Sequence, residues 1–295
     1  MNRDNNSWFS LFSLLIFLLS ETTSHSKAGG HHGTDNYRSF RYNHPMKITP
    51  DYTVIYSDDD IVVLNKRSGL LIAADRYDED APRLDVEAEK EFGRLFAVHR
   101  IDKDTSGCVI YARNSESHKN LSMQFENREV QKVYHCLVYG YPSWSEKHVD
   151  LKLMPDGDAK HRTVVNKTHG KPSETDFINL GKAGPFSWIE ARPHTGRTHQ
   201  IRAHLQAIGF SIVCDPLYSP NQHPVLLSEI KRRWNGDEST ERPLLSRLAL
   251  HAYRLTLAHP KTGKPMTFTA PYPRDMEATR KQIASIFGVD PQAEA

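Results

Sequence analysis

Apolar and polar positions follow a strand-like pattern over much of the chain after residue 50. Val54 to Lys66 reads as a hairpin: an apolar strand, the acidic turn Asp58-Asp59-Asp60, then the run Ile61-Val62-Val63-Leu64. Further strands are predicted where Val109 and Tyr111 alternate, from Val133 to Gly140, and from Ser187 to Pro193. Leu248 to Ala252 and the hairpin around His259 to Gly263, continuing to Met266-Thr267-Phe268, close the set. Gly263 is its turn residue, and Pro271 and Pro273 end the sheet. Helical spacing appears twice. Leu121, Phe125 and Arg128 follow the cap types Asn114 and Ser115, while Ile201, Leu205 and Ile208 form a stripe that Thr198 can cap and Gly209 can end.

The first fifty residues differ in kind. Trp8 to Leu19 is an apolar run too short for a confident membrane span, and it has the look of a signal-peptide core. Asp4 before it and the lack of a clean cleavage site after it argue against export, so a misassigned start codon or a dispensable extension competes with that reading. Residues 21–45 are rich in Ser, Gly, His and Asn, as a disordered linker would be. The folded region is therefore expected to begin near Ile48, giving an N-terminal segment and linker over 1–47, a catalytic domain over 48–280 and a tail over 281–295.

Composition narrows the function classes. The chain has 295 residues and a net charge of only +2, so a polyanion would be held by local basic clusters rather than by the overall field. Cys108, Cys136 and Cys214 are far apart, odd in number and without CxxC spacing, which fits free buried thiols in a reducing compartment. His31-His32 is too isolated for a metal site, and no nucleotide-cofactor or metal signature appears.

Candidate chemistry centres on His99-Arg100-Ile101-Asp102-Lys103-Asp104-Thr105-Ser106-Gly107. Asp102 lies between two cations, Arg100 and Lys103, and opposite charges close by favour an ionised carboxylate. Gly107 permits a backbone with φ > 0, so the turn can present Asp102 at the rim of a sheet. On residues alone, Asp102 is as readily a solvated turn residue in a surface ion pair. A second constellation, His194-Thr195-Gly196-Arg197-Thr198-His199-Gln200-Ile201-Arg202, runs into the second predicted helix and places Arg197 where it can reach across to Asp102. Arg128 and Lys132 read as solvated charges. The cation run Lys231-Arg232-Arg233-Trp234 reads as a solvated amphipathic helix.

The nonapeptide around Asp102 resembles the HRLD-x-x-TSG signature of the RluA-type pseudouridine synthases, with Ile101 in place of leucine. Asn65-Lys66-Arg67-Ser68-Gly69-Leu70 resembles the family's NKPSG-L segment, with Arg67 where proline is usual. Tyr134 to Gly140 resembles Y-x-x-L-V-x-G, residues 195–202 resemble TGR-[TS]-HQ-[IL]-R, and Cys214-Asp215-Pro216-Leu217-Tyr218 resembles G-D-x-x-Y with Cys214 for glycine. The matches run in family order over roughly residues 52 to 275.

The resemblance implies an α+β pseudouridine synthase fold: a mixed, largely antiparallel central sheet with flanking helices and an RNA-binding cleft. It implies catalytic roles for Asp102, Tyr134 and Arg197, with Arg197 as the aspartate's partner. Arg100 would enter the RNA as the base leaves and Ile201 would pack beneath the uracil, with Lys103, Arg202 and Lys66 as further RNA-binding positions. The implied activity is isomerisation of uridine to pseudouridine in loops of large-subunit rRNA, tRNA or both, without cofactor or metal. A cytoplasmic monomer without stable membrane association is expected. Whether Asp102 attacks C1′, attacks C6 or removes a sugar proton is open at this level. Two alternatives stand beside it: a catalytically silent RNA-binding protein on the same fold, and an exported glycosidase, against which the lack of a second carboxyl group beyond Asp104 speaks.

Overall fold

The computed structural model describes residues 51–74, 81–220 and 223–293. The apolar run at 8–19 and the linker assigned before residue 48 lie outside the described residues.

The predicted first hairpin forms from β1 (Tyr52–Ser57) and β2 (Ile61–Lys66). α1 (Leu84–Phe92), the short β3 (Phe96–Ala97), β4 (Ser106–Ala112) and α2 (Ser115–Glu126) follow. Asn114 caps α2 as its residue type predicts, its side chain accepting from the Ser117 amide. Next come β5 (Gln131–Tyr139), β6 (Glu146–Met154), β7 (Val164–Val165), β8 (Lys171–Ala183) and β9 (Phe186–Pro193). The chain then forms α3 (Gln200–Ala207), α4 (Leu227–Ile230), β10 (Leu250–Ala258), β11 (Pro265–Thr269) and α5 (Arg274–Phe287).

Among the described residues the eleven strands make one sheet in the order β1-β2-β4-β10-β5-β9-β8-β6-β7, with β11 added to β10 and β3 to β4. Every pairing is antiparallel except β4 with β10. The fold is thus α+β with a mixed, largely antiparallel sheet, as expected.

β2 reads as a continuous apolar run because both of its faces are covered. Ile61 and Val63 join the cluster that holds Leu121 of α2, while Val62 and Leu64 join the one that holds Leu84 and Ala88 of α1. In the middle of the sheet one rung runs across four strands, Gly107 beside Ala252, Ala252 opposite Tyr134, and Tyr134 opposite Ala191. Gly107 is essential to that rung: its φ is +117°, and a β-carbon there would fall 2.3 Å from the Ala252 carbonyl oxygen.

Three sequence expectations are corrected. The helix predicted at 231–234 is absent, since α4 ends at Ile230 and leads into a turn. α3 is not capped by Thr198: His199 occupies the N-cap in the left-handed region, at φ 52°, without a side-chain cap bond. The boundary at 280 falls inside α5, whose Ile283 is fully buried, so the domain extends through that helix. All three cysteines are free and buried. No helix among the described residues is long and apolar enough to cross a membrane.

Candidate active site

Asp102 sits in the turn immediately before β4, where the Thr105 amide donates to its carbonyl at 3.1 Å. Residues 66–69 pin that turn from behind. The Gly69 amide and Lys66 Nζ both donate to the Lys103 carbonyl, at 2.8 and 2.9 Å, and Ser68 Oγ donates to the Asp104 carbonyl at 2.7 Å. Lys66 is fully buried and spends its ammonium on the carbonyls of Arg67, Leu70 and Lys103. It is therefore a clamp on the Asp102 turn and is not exposed to RNA, which corrects its sequence assignment. Burial pulls its pKa down to about 7. Arg67, the departure from the family's proline, pairs with Asp51 at 2.6 Å.

The turn opens onto a cleft of about 520 Å³. Arg100, Asp102, Tyr134, Arg197, Ile201 and Arg202 all line it, brought together from the Asp102 turn, β5, the loop after β9 and α3. The four-strand rung explains the convergence: it sets Tyr134 level with Gly107 on one side and Ala191 on the other, three residues before His194. Arg100 and Lys103 are exposed on either side of Asp102, and Ile201 offers a mostly buried apolar wall.

The cation that meets Asp102 is Arg202, not Arg197. Arg202 Nη1 lies 3.4 Å from Asp102 Oδ2, whereas Arg197 Nε donates to the Pro172 carbonyl at 3.2 Å. The cause is local. The helix begins at Gln200, so Arg197 is left in the preceding loop, its amide tied to Gln200 Oε1, while Arg202 lies in the first turn of α3. Arg202 is held by a second carboxylate, Asp215, in a two-point contact at 2.8 Å for each bond, and Asp215 is fully buried. Burial opposes the Arg202 charge, but the hydrogen bonds and charge of Asp215 prevail and raise its pKa. The Tyr218 ring lies 5.0 Å from the guanidinium carbon.

Burial, with the Asp102 charge adding to it, holds the Tyr134 phenol above its ordinary value, so the hydroxyl is protonated. His199 Nε2 lies 4.0 Å from Asp102 Oδ2, and burial lowers the imidazole's pKa against the pull of Asp102. The Tyr218 hydroxyl donates to the Thr163 carbonyl, so the His199 Nδ1 contact with it at 3.2 Å makes Nδ1 the donor.

Sequence reasoning missed three of these residues as site members. Asp215 was visible only as part of a turn motif, and His199 only as part of the α3 signature. Lys132, read as solvated, lines the cleft. Strand periodicity could have found it, since residues two apart on a strand share a face and Tyr134 is two positions on.

The model of the RNA pseudouridylate synthase family matches residues 60–207, which hold Asp102, Tyr134, Arg197 and Arg202. The chain belongs to this family. A dual-specificity RNA pseudouridine synthase RluA of Escherichia coli is 34% identical over 231 residues, covering 78% of this chain and 96% of its own. A ribosomal large subunit pseudouridine synthase D of Zymomonas mobilis is 32% identical over 254 residues, covering 82% of this chain and 75% of its own. The solved human RNA Pseudouridylate Synthase Domain Containing 1 shares the fold, with a TM-score of 0.58 at 24% identity over 79% of this chain and 90% of that one. As an RNA pseudouridine synthase the chain is an isomerase.

Among the described residues one group has metal-ligand chemistry, Asp58, Asp60 and His259, with ligand atoms within 4.8 Å of one another. None of the three lines the cleft. Their polar atoms are engaged locally: Asp58 accepts from Tyr56 and the Ile61 amide and meets His259, while Asp60 accepts from Asn114 and Ser117. The group locks the β1–β2 turn against the end of β10 and α2.

Proposed function

We propose that this synthase converts specific uridines in loops of large-subunit rRNA, tRNA or both, with Asp102 as its catalytic carboxylate. One observation carries the reading. A carboxylate only one-fifth exposed, on the turn before β4, stands in a cleft with a tyrosine from β5 and with an arginine and an apolar side chain from α3.

The reaction breaks the C1′–N1 bond, turns the freed uracil and joins C5 to C1′, and C5 then loses its proton while N1 takes one up, so the product is an isomer of the substrate. Asp102 supplies the anionic oxygen at the sugar or base, and Arg202 compensates its charge when RNA displaces water. Ile201 and the Tyr134 ring form the surfaces against which a flipped pyrimidine packs, at a cost of a few kcal/mol for unstacking. Arg100, at the mouth, is the side chain suited to occupy the space the base leaves. Arg197, one residue from the exposed Gly196, meets RNA rather than Asp102. A loop presents bases already unstacked, which favours loops over duplex as targets. The three buried free thiols fit a reducing, cytoplasmic setting, and a monomer acting without metal is the simplest form of this reading.

The test is carbodiimide-based pseudouridine mapping of total rRNA and tRNA from cells lacking the gene, complemented with wild type or Asp102→Asn. One or a few sites should vanish and return with wild type alone. Restoration by Asp102→Asn would remove Asp102 from the chemistry, and an unchanged map would favour a silent RNA-binding protein.

A further inference from the structure

Lys132 stands in β5 two residues before Tyr134, so both side chains project from the same face, about 7 Å apart along the strand. Its Nζ donates to the Thr195 carbonyl at 3.3 Å, which fixes the ammonium at the loop joining β9 to α3. No carboxylate among the described residues pairs with it. The charged neighbour acting on it is a second cation, Arg128, which also lines the cleft. Glu126 lines the same cleft without an ion pair to Nζ. Arg128 is itself held in the left-handed region, at φ 62°, by the turn that leaves α2, so the two cations come from adjoining segments. Beside them, a β-carbon built on Gly196 would meet nothing within 4 Å except Lys132 Nζ, at 4.0 Å, so that space is open.

A half-buried ammonium with one carbonyl partner and a cation for a neighbour is electrostatically incomplete. Burial, with Arg128 adding repulsion, draws its pKa down to about 8. Such a group is stabilised by an anion, and in an RNA cleft the anion is a phosphodiester.

We propose that Lys132, positioned by the Thr195 carbonyl and seconded by Arg128, forms a phosphate subsite for the RNA backbone beside the flipped nucleotide. The subsite rests on the reading of this cleft as the place where RNA enters. It contributes binding free energy that holds the backbone while Tyr134, on the same strand face, meets the base. The ammonium acts as a point charge, so arginine can replace it in part and a neutral side chain cannot.

The subsite is tested by the salt dependence of binding. The Asp102→Asn protein, which should hold RNA without turning it over, is titrated with total tRNA and, separately, with total rRNA from cells lacking the gene, at KCl concentrations from about 50 to 200 mM. The same is done with Lys132→Met, Lys132→Arg and Lys264→Met added in turn. Each phosphate neutralised adds about 0.7 to 0.9 to the slope of log K against log[salt]. Lys132→Met should lower the slope by that amount and weaken binding at the lowest salt about 5- to 10-fold, a loss of about 1 kcal/mol. Lys132→Arg should retain most of both, and Lys264→Met, at the β10–β11 turn, should change neither. A Lys132→Met slope equal to the parent's overturns the subsite while leaving the cleft an RNA site. A parent that binds no tRNA or rRNA overturns both readings.

Discussion

Two buried or half-buried carboxylates share the Arg202 guanidinium, and their geometries predict opposite outcomes. Asp102 touches it at 3.4 Å, a long contact, whereas Asp215 holds it with two bonds of 2.8 Å. Asp102→Asn should therefore abolish pseudouridine formation and shift stability by about 1 kcal/mol or less. Asp215→Asn leaves a buried guanidinium short of its charge partner and should cost about 3–5 kcal/mol. Urea denaturation of both variants, with a pseudouridine assay on each, checks the pair; equal stabilities would refute the division of labour. The contrast also shows what the sequence could not say. Two arginines five residues apart both flank the start of a helix, and only its start at Gln200 decides that Arg202 reaches Asp102 while Arg197 turns to Pro172. Lys66 was opaque for a similar reason: a lysine in a turn motif usually reaches solvent, and only the packing of β2 under the Asp102 turn converts it into a clamp. Asp102 and Tyr134 were legible because turn chemistry and a strand pattern, together with the resemblance, named their positions without needing a helix boundary.

At the scale of elements, the strands were the most legible part of the chain, since β2, β4, β5, β9 and β10 carry apolar runs bounded by turn residues. The C-terminal helix was missed. Its apolar face is narrow, with the buried positions Met276, Thr279 and Ile283 interrupted by charges, and the prolines before it signal only an end to the sheet. Yet α5 and the residues just beyond it pack on the β8–β9 hairpin, where Phe287 lies over Gly184 and Val289 over Gly181 so closely that β-carbons there would approach to 2.6 and 2.8 Å. Arg280 pairs with Glu277 inside the helix and ties the helix to the segment beyond it through Asp290. A chain ending at residue 280 should thus lose about 3–5 kcal/mol or fail to fold, comparable to emptying a core site of a large side chain. A melting temperature within two degrees of the full chain would show that α5 is an accessory; the packing of Ile283 says otherwise.

Across the whole molecule, acid should weaken this fold through its desolvated histidines. His204 and His251 are buried and His99 is half-buried, and desolvation draws the pKa values of the first two down to about 4 and 3 and that of His99 to about 3. The network around His251 shows why the neutral form is required: Arg247 donates to Ser106 Oγ, whose proton goes to Nδ1, while Nε2–H donates to the Ala270 carbonyl. A proton added at Nδ1 would leave the Ser106 hydroxyl without its acceptor. In the unfolded chain each of these rings takes up a proton near its ordinary value, about 6.5. Between that pH and about 4 the unfolded state therefore binds up to three more protons than the folded state, and stability falls as pH falls, by as much as about 4 kcal/mol per pH unit. His148, paired with Asp176 on the surface and raised in pKa by that hydrogen bond, works in the opposite sense, but its side chain is more than half exposed and solvent screens the effect. Urea unfolding at pH 7, 6 and 5 should show the stability falling from pH 7 to 6 and more steeply from 6 to 5, and a flat profile would sink this account. The consequence reaches function, because His251 braces Ser106 at the start of β4 and His99 lies three residues before Asp102. The acid limb of the pH–activity curve should therefore coincide with loss of near-UV dichroism. Activity that falls while the dichroism persists would place the titrating group in the cleft instead.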